Sequence, residues 1–147
     1  RMVESVEEVV KNIIEAANNL AGEKFDLSTP ITSLSGGQSR ALMIADTAIL
    51  SSSPIVLIDE IENAGIDRKK ALKLLVSSDK IVLMDTHDTL LAIMADKRIV
   101  IKNGGINKII DTSSEEKEVL SQLEKMDAVI QEMRNSLRVG ETLERRI

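Results

Sequence analysis

The chain has 147 residues, 43% of them hydrophobic, and carries a net charge of −5 from 19 basic and 24 acidic side chains. That suits one domain or a large piece of one, and an acidic balance argues against a general binder of nucleic-acid backbones. Phe25 is the sole aromatic residue and cysteine is absent, which excludes base-stacking platforms, disulfides, thiolate metal sites and cysteine nucleophiles.

Residues 3–21 read as an amphipathic helix, with Val3, Val6, Val10, Ile13, Ile14, Ala17 and Leu20 at helical spacing and Gly22 as the stop. A loop over 23–34 contains Pro30, and Ser35 is a good N-cap for a helix at about 38–50. Ser51, Ser52, Ser53 and Pro54 break that helix. The run IVLI at 55–58 is wholly apolar, as a strand buried on both faces should be, and IVLM at 81–84 repeats the pattern. Between them, 67–77 reads as a helix opened by Asp67, and 88–96 as another. RIVIKNGGINKII reads as two strands joined by Asn103, Gly104 and Gly105. The order implies an α/β layout with a parallel sheet and an antiparallel edge.

The tail from Thr112 to Ile147 has a different pattern. Ser113 or Ser114 caps a helix with Glu115, Glu116 and Glu118 near its start, where the helix dipole favours negative charge. Val119, Leu123, Met126, Ile130, Met133 and Leu137 are spaced 4, 3, 4, 3, 4, a seam about three heptads long. It reads either as a helix docked on its own domain or as a coiled coil. Residues 1–111 and 112–147 are thus taken as two parts, the second a helical extension. No apolar run approaches the roughly 18–20 residues that span a bilayer, so a soluble cytoplasmic protein is expected.

Three stretches carry chemistry. In Leu34-Ser35-Gly36-Gly37-Gln38, the glycines let backbone approach a ligand closely. The helix that follows offers free N–H groups and a positive dipole end, an anion site to which Ser35 and Gln38 add polar contacts. PIVLIDE at 54–60 places Asp59 and Glu60 at the C-terminal end of a strand, where α/β sites lie. Asp59 suits Mg²⁺, and Glu60 suits the orientation or deprotonation of a water. His87, the single histidine, follows the second strand in DTHD, where it can bond a phosphate or the attacking water. Separately these read as a glycine loop before a capped helix, an acidic loop and a loop histidine. Together, in this order, they are hard to explain that way.

The set resembles the ATP-binding cassette (ABC) ATPases across roughly residues 5–110. LSGGQ at 34–38 is similar to their signature motif, and VLIDE at 56–60 to their Walker B strand with its catalytic glutamate. NAGID at 63–67 stands where their D-loop stands, THD at 86–88 where their switch histidine stands, and KRIVIKNGGI at 97–106 is similar to the hairpin beyond. The phosphate cradle G-x-x-x-x-G-K-S/T is absent from the sequence. The resemblance therefore implies the C-terminal portion of such a domain: a helical subdomain, parallel strands and an edge hairpin. The P-loop would lie upstream of Arg1 or on another chain, and this chain alone would bind ATP weakly.

The resemblance implies ATP and Mg²⁺ as ligands and a second ABC domain, head to tail, as partner. By residue, Ser35, Gly36, Gly37 and Gln38 would contact the γ-phosphate of the opposing domain's ATP. Asp59 would hold Mg²⁺ through water, Glu60 would be the general base, His87 the γ-phosphate sensor, and Asp67 part of the dimer-facing D-loop. A transporter motor working with a membrane permease is the leading expectation. Two features depart from the common transporter pattern. DEIENAGID is one residue longer than D-E-P-T-S-A-L-D, and Ala41 stands where many transporters carry Arg. DEIEN is similar to the nuclease-linked and recombination-type ATPases, and the run SRALMIADTAIL is closer to the coiled-coil chromosome-maintenance and DNA-repair ATPases, so a non-transport branch stays open, as does a non-catalytic dimerisation module. Direct nucleic-acid binding by this segment is not expected.

Overall fold

The structure, a computed structural model, describes residues 5–59 and 65–143. Two compact units divide it, Arg1–His87 and Asp88–Ile147. In the first, α1 (Val6–Leu20) begins at Ser5, whose side chain accepts the Glu8 N–H, and Glu7 and Glu8 occupy the first turn where the helix dipole favours them. A short 3₁₀ turn (Ile31–Ser33) leads to α2 (Gly36–Ile49). Then come β1 (Ile55–Asp59), α3 (Arg68–Ser77) and β2 (Ile81–Asp85). Strands β1 and β2 pair in parallel, Ile55 opposite Ile81 through Asp59 opposite Asp85. Lys80 secures the approach to this ladder by donating to the carbonyls of Ser51 and Ser53 at 2.5 and 3.0 Å.

The core of this unit follows the helical stripes. Ile13, Ala17 and Leu20 of α1 are buried, with Ala41, Ile44, Ala45 and Ala48 of α2 and Ala71 and Leu75 of α3. Ala17, Ala41, Ala45 and Ala71 are 0% exposed, so the helices meet through methyl groups. A chain without large rings fills its interior by bringing backbones close rather than by interdigitating bulky side chains.

The expectation of strands buried on both faces does not hold. Exposure alternates along both strands. Val56, Ile58, Val82 and Met84 are half-buried, while Ile55, Leu57, Ile81 and Leu83 form an exposed apolar face, Leu57 at 76%. A continuous apolar run shows that a strand suits burial on both sides; whether both sides are covered depends on distant segments. Among the described residues nothing covers this face.

The second unit comprises α4 (Thr89–Met94), β3 (Lys97–Lys102), β4 (Gly105–Asp111) and α5 (Ser114–Arg138). Asp88 caps α4 through the Leu90 and Leu91 N–H groups, and Leu90 and Leu91 are buried. The hairpin pairs β3 with β4 antiparallel, with a register shift at Val100/Ile101. Asn103 and Gly104 both take positive φ, 53° and 76°, the two-residue turn that matches strand twist. The described ladders therefore form two separate two-stranded sheets.

Ser113 is the residue that caps α5, closing a capping box with Glu116. Glu116 also accepts from Arg98 of β3 at 2.5 Å, and the Thr112 hydroxyl donates to the Ala95 carbonyl at 2.5 Å. These bonds tie α5 to the hairpin and to the end of α4. The half-buried positions of α5 include Glu116, Leu120, Leu123, Glu124 and Asp127. Of the heptad seam, Val119, Met126, Ile130, Met133 and Leu137 are exposed.

Leu75 is 1% exposed, the largest fully buried side chain. Leu75→Ala should destabilise the protein by about 2–5 kcal/mol, whereas Met43→Ala, at an exposed position, should stay within about 0.5 kcal/mol of wild type by thermal denaturation. The Arg98 hydrogen bond, and then the Ser113 N–H, hold the Glu116 carboxyl below the usual glutamate range. A carboxylate with a lowered folded pKa adds stability above its unfolded pKa, and that stability is lost as pH falls through the folded value. An acid titration followed by far-ultraviolet circular dichroism should therefore show α5 weakening at the acid end, with a smaller change in Glu116→Gln.

Candidate functional site

The N-terminus of α2 is the centre of the site. Ser35 sits in extended conformation as N-cap, and its Oγ accepts the Gln38 N–H at 3.3 Å. Gln38 completes the capping box by accepting the Ser35 N–H on Oε1 at 2.8 Å. The first N–H groups of a helix have no partner inside it. A Cβ built on Gly36 would meet nothing within 4 Å, so the approach to that backbone is open. The arrangement presents backbone N–H groups and the positive end of a helix dipole to an anion.

The loop leading into it is held by polar side chains. Asn18 of α1 exchanges two hydrogen bonds with Phe25: its Nδ2 donates to the carbonyl at 2.7 Å and its Oδ1 accepts the N–H at 2.9 Å. Gln38 Nε2 donates to the carbonyls of Glu23 and Lys24 at 3.3 and 3.4 Å. Asp26 accepts from the hydroxyl and N–H of Ser28 at 2.6 and 2.9 Å, and the Ser28 hydroxyl is the leading cause that lowers its pKa.

The segment entering α3 lies against the same place. Gly65 takes φ +66°, and a Cβ there would stand 3.7 Å from the Gly37 Cα. Its carbonyl is 3.7 Å from where a Gly22 Cβ would be. Ile66 bridges to Ala21, and the Asp67 N–H donates to the Leu20 carbonyl at 2.8 Å. The Asp67 carboxylate caps α3 through the Lys70 N–H at 3.1 Å and pairs with the Lys70 ammonium at 3.4 Å.

Asp59 ends β1 directly opposite Asp85 of β2, so two carboxylate-bearing residues share the C-terminal edge of the parallel pair. His87 is exposed, two residues past the end of β2. A groove of about 300 Å³ is lined by Arg40, Met43, Ile44 and Thr47 of α2, Leu75 of α3, and β1 from Val56 to Asp59. It joins the face of α2 just beyond the glycines to the carboxylate end of β1. Among the described residues no three His, Asp or Glu side chains gather as a metal cage. One or two strand-end carboxylates are nevertheless the donors that suit Mg²⁺, which keeps several waters and is completed by substrate phosphates. Glu60 lies outside the described residues, as do Asn63 and Ala64 of the NAGID stretch.

Sequence reasoning passed over Asn18. Asn18 had a signal: asparagine is a poor interior helix residue, and its presence there points to a specific partner. No helix of the described residues is long and apolar enough to cross a membrane. Placing a Cβ at Gly65 costs conformational strain rather than a clash, so Gly65→Ala should lose about 1–2 kcal/mol in a denaturation midpoint measurement.

No family model matches the chain, and no solved structure matches it. Among curated proteins it is 53% identical over 137 residues to an uncharacterised ABC transporter ATP-binding protein of Methanocaldococcus jannaschii, covering 93% of this chain and 52% of that protein. A lactococcin transport/processing ATP-binding protein of Lactococcus lactis is 36% identical over 103 residues, covering 69% of this chain and 14% of that protein. An energy-coupling factor transporter ATP-binding protein of Malacoplasma penetrans is 32% identical over 105 residues, covering 67% and 36%. The chain thus spans about half the length, or less, of the curated relatives it matches. All three are ATP-binding proteins of transport systems, the first described as an ABC transporter protein, and the likeness supports an ABC ATPase domain here.

Proposed function

We propose that the chain is the signature-bearing part of an ABC-type ATPase domain that serves as the motor of a transporter. ATP is sandwiched head to tail, between the P-loop of one domain and the N-terminus of α2 of the other. The observation that carries this reading is the Ser35-capped, open N-terminus of α2 at LSGGQ. Its backbone N–H groups at Gly36 and Gly37, with Ser35 and Gln38 beside them, face the γ-phosphate. Asp59 is the residue that would hold Mg²⁺, and the ion would supply charge neutralisation at the phosphates. Glu60 orients and deprotonates the attacking water. His87 senses the γ-phosphate, and the Asp67 segment faces the second domain.

The transport roles of the relatives favour the transporter branch over the non-transport branches to which DEIEN pointed, and a membrane permease is the partner that this reading implies. The P-loop comes from another segment of the protein or from another chain. Glu60→Gln in the full-length protein should cut ATP turnover by about 10²–10⁴-fold while ATP binding and the ATP-bound dimer persist. Unchanged turnover would remove Glu60 from its role. Absence of ATP binding by the wild type would sink the ATPase reading as a whole.

A further inference from the structure

The side chain of Gln38 is engaged at both ends by the chain's own backbone. An amide has one acceptor oxygen and two donor hydrogens to distribute. The oxygen takes the Ser35 N–H at 2.8 Å, the shortest of its contacts, and the nitrogen faces the Glu23 and Lys24 carbonyls at 3.3 and 3.4 Å. From the other side Asn18 holds Phe25 by both bonds, at 2.7 and 2.9 Å. The turn from Glu23 to Phe25 is therefore gripped between one amide from the last turns of α1 and one from the first turn of α2. To reach a phosphate, Gln38 would have to release the Ser35 N–H and abandon both carbonyls. The Gly65–Gly37 approach and the Asp67–Leu20 bond brace the same junction from the α3 side.

We propose that Gln38, braced by Asn18, is a positioning residue: it fixes the N-terminus of α2 against the exit turn of α1. It thereby holds the Ser35, Gly36 and Gly37 groups where a phosphate meets them, without touching the phosphate. This revises the direct contact expected for Gln38 and rests on the ATPase reading above. The effect on chemistry comes through geometry, since a misplacement of about 1 Å can cost on the order of 10²-fold in rate.

The test compares Gln38→Ala, Gln38→Glu and Asn18→Ala in the full-length protein. Alanine at position 38 removes every contact and should lower kcat by about tenfold or more, with KM for ATP within about twofold. Glutamate keeps the acceptor for the Ser35 N–H but loses both donors and sets a carboxylate against the Glu23 and Lys24 carbonyls, so kcat should fall as it does for alanine, with KM for ATP again within about twofold. Asn18→Ala, acting on the far side of the turn, should repeat the loss in kcat alone. If Gln38 touches phosphate, KM for ATP rises instead, most of all in Gln38→Glu, where like charge meets like, and Asn18→Ala leaves kcat unchanged. That pattern overturns the positioning role and leaves the ATPase reading standing. A wild type without ATP turnover overturns both. Independently of nucleotide, hydrogen exchange at the Ser35 amide should quicken in Gln38→Ala and stay slow in Gln38→Glu; equal exchange in all forms overturns the proposal.

Discussion

The first unit depends on the close approach of three helices whose most deeply buried positions are largely alanines. Ala17 of α1, Ala41 and Ala45 of α2 and Ala71 of α3 have no exposed surface. Alanine costs nothing in side-chain entropy and lets helix backbones approach closely. It also gives little area to each contact. A core of this kind gains its stability from close packing rather than from large burials. Its tolerance for larger side chains is correspondingly small, since an added methylene has nowhere to go in a close-packed interior.

The site follows from that geometry. With α1 and α2 pressed together, the end of one helix lies beside the start of the other, and the loop of residues 21–35 must return over a short span. The return is secured by side-chain amides and by glycine. Gly65 brings a third segment against Gly37 in a left-handed conformation that other residues adopt only with strain. Three stretches distant in sequence thus meet where backbone N–H groups are presented. Rigidity there is useful in its own right, because donors that are already aimed need not reorganise when a charge arrives.

Most of the local chemistry was legible in the sequence. Ser35, Asp67 and Ser113 each open the helix expected of them, because capping needs only a short polar side chain and the next three residues. The Asn103–Gly104 turn is local in the same way. The exposure of Leu57 and Leu83 was not legible, because an apolar run reports what a strand would suit and is silent about what covers it. The partners of Gln38 were hidden for a related reason. A Gln three places after a Ser predicts the capping box, but its second hand reaches Glu23, fifteen positions away. Asp67 shows how one residue answers two readings: the carboxylate placed in a dimer-facing loop is, in this structure, bonded to its own helix and to Lys70. Glu60 and residues 61–64 behind it lie outside the described residues.

The β3–β4 hairpin carries a consequence for how the chain behaves in company. Ile99, Ile101, Ile106 and Ile109 are all exposed on a ribbon that, among the described residues, has no strand on either edge, a composition that invites pairing with a strand from a neighbouring molecule. Lys97 is paired with Asp111 at 3.0 Å, but Lys102 and Lys108 lie on the same two strands, and cations so placed discourage edge-to-edge association. Like charges lose their mutual repulsion as salt screens them. The colloidal behaviour of this segment is thereby set by ionic strength, and low-salt buffers are the conditions in which these lysines guard the ribbon best.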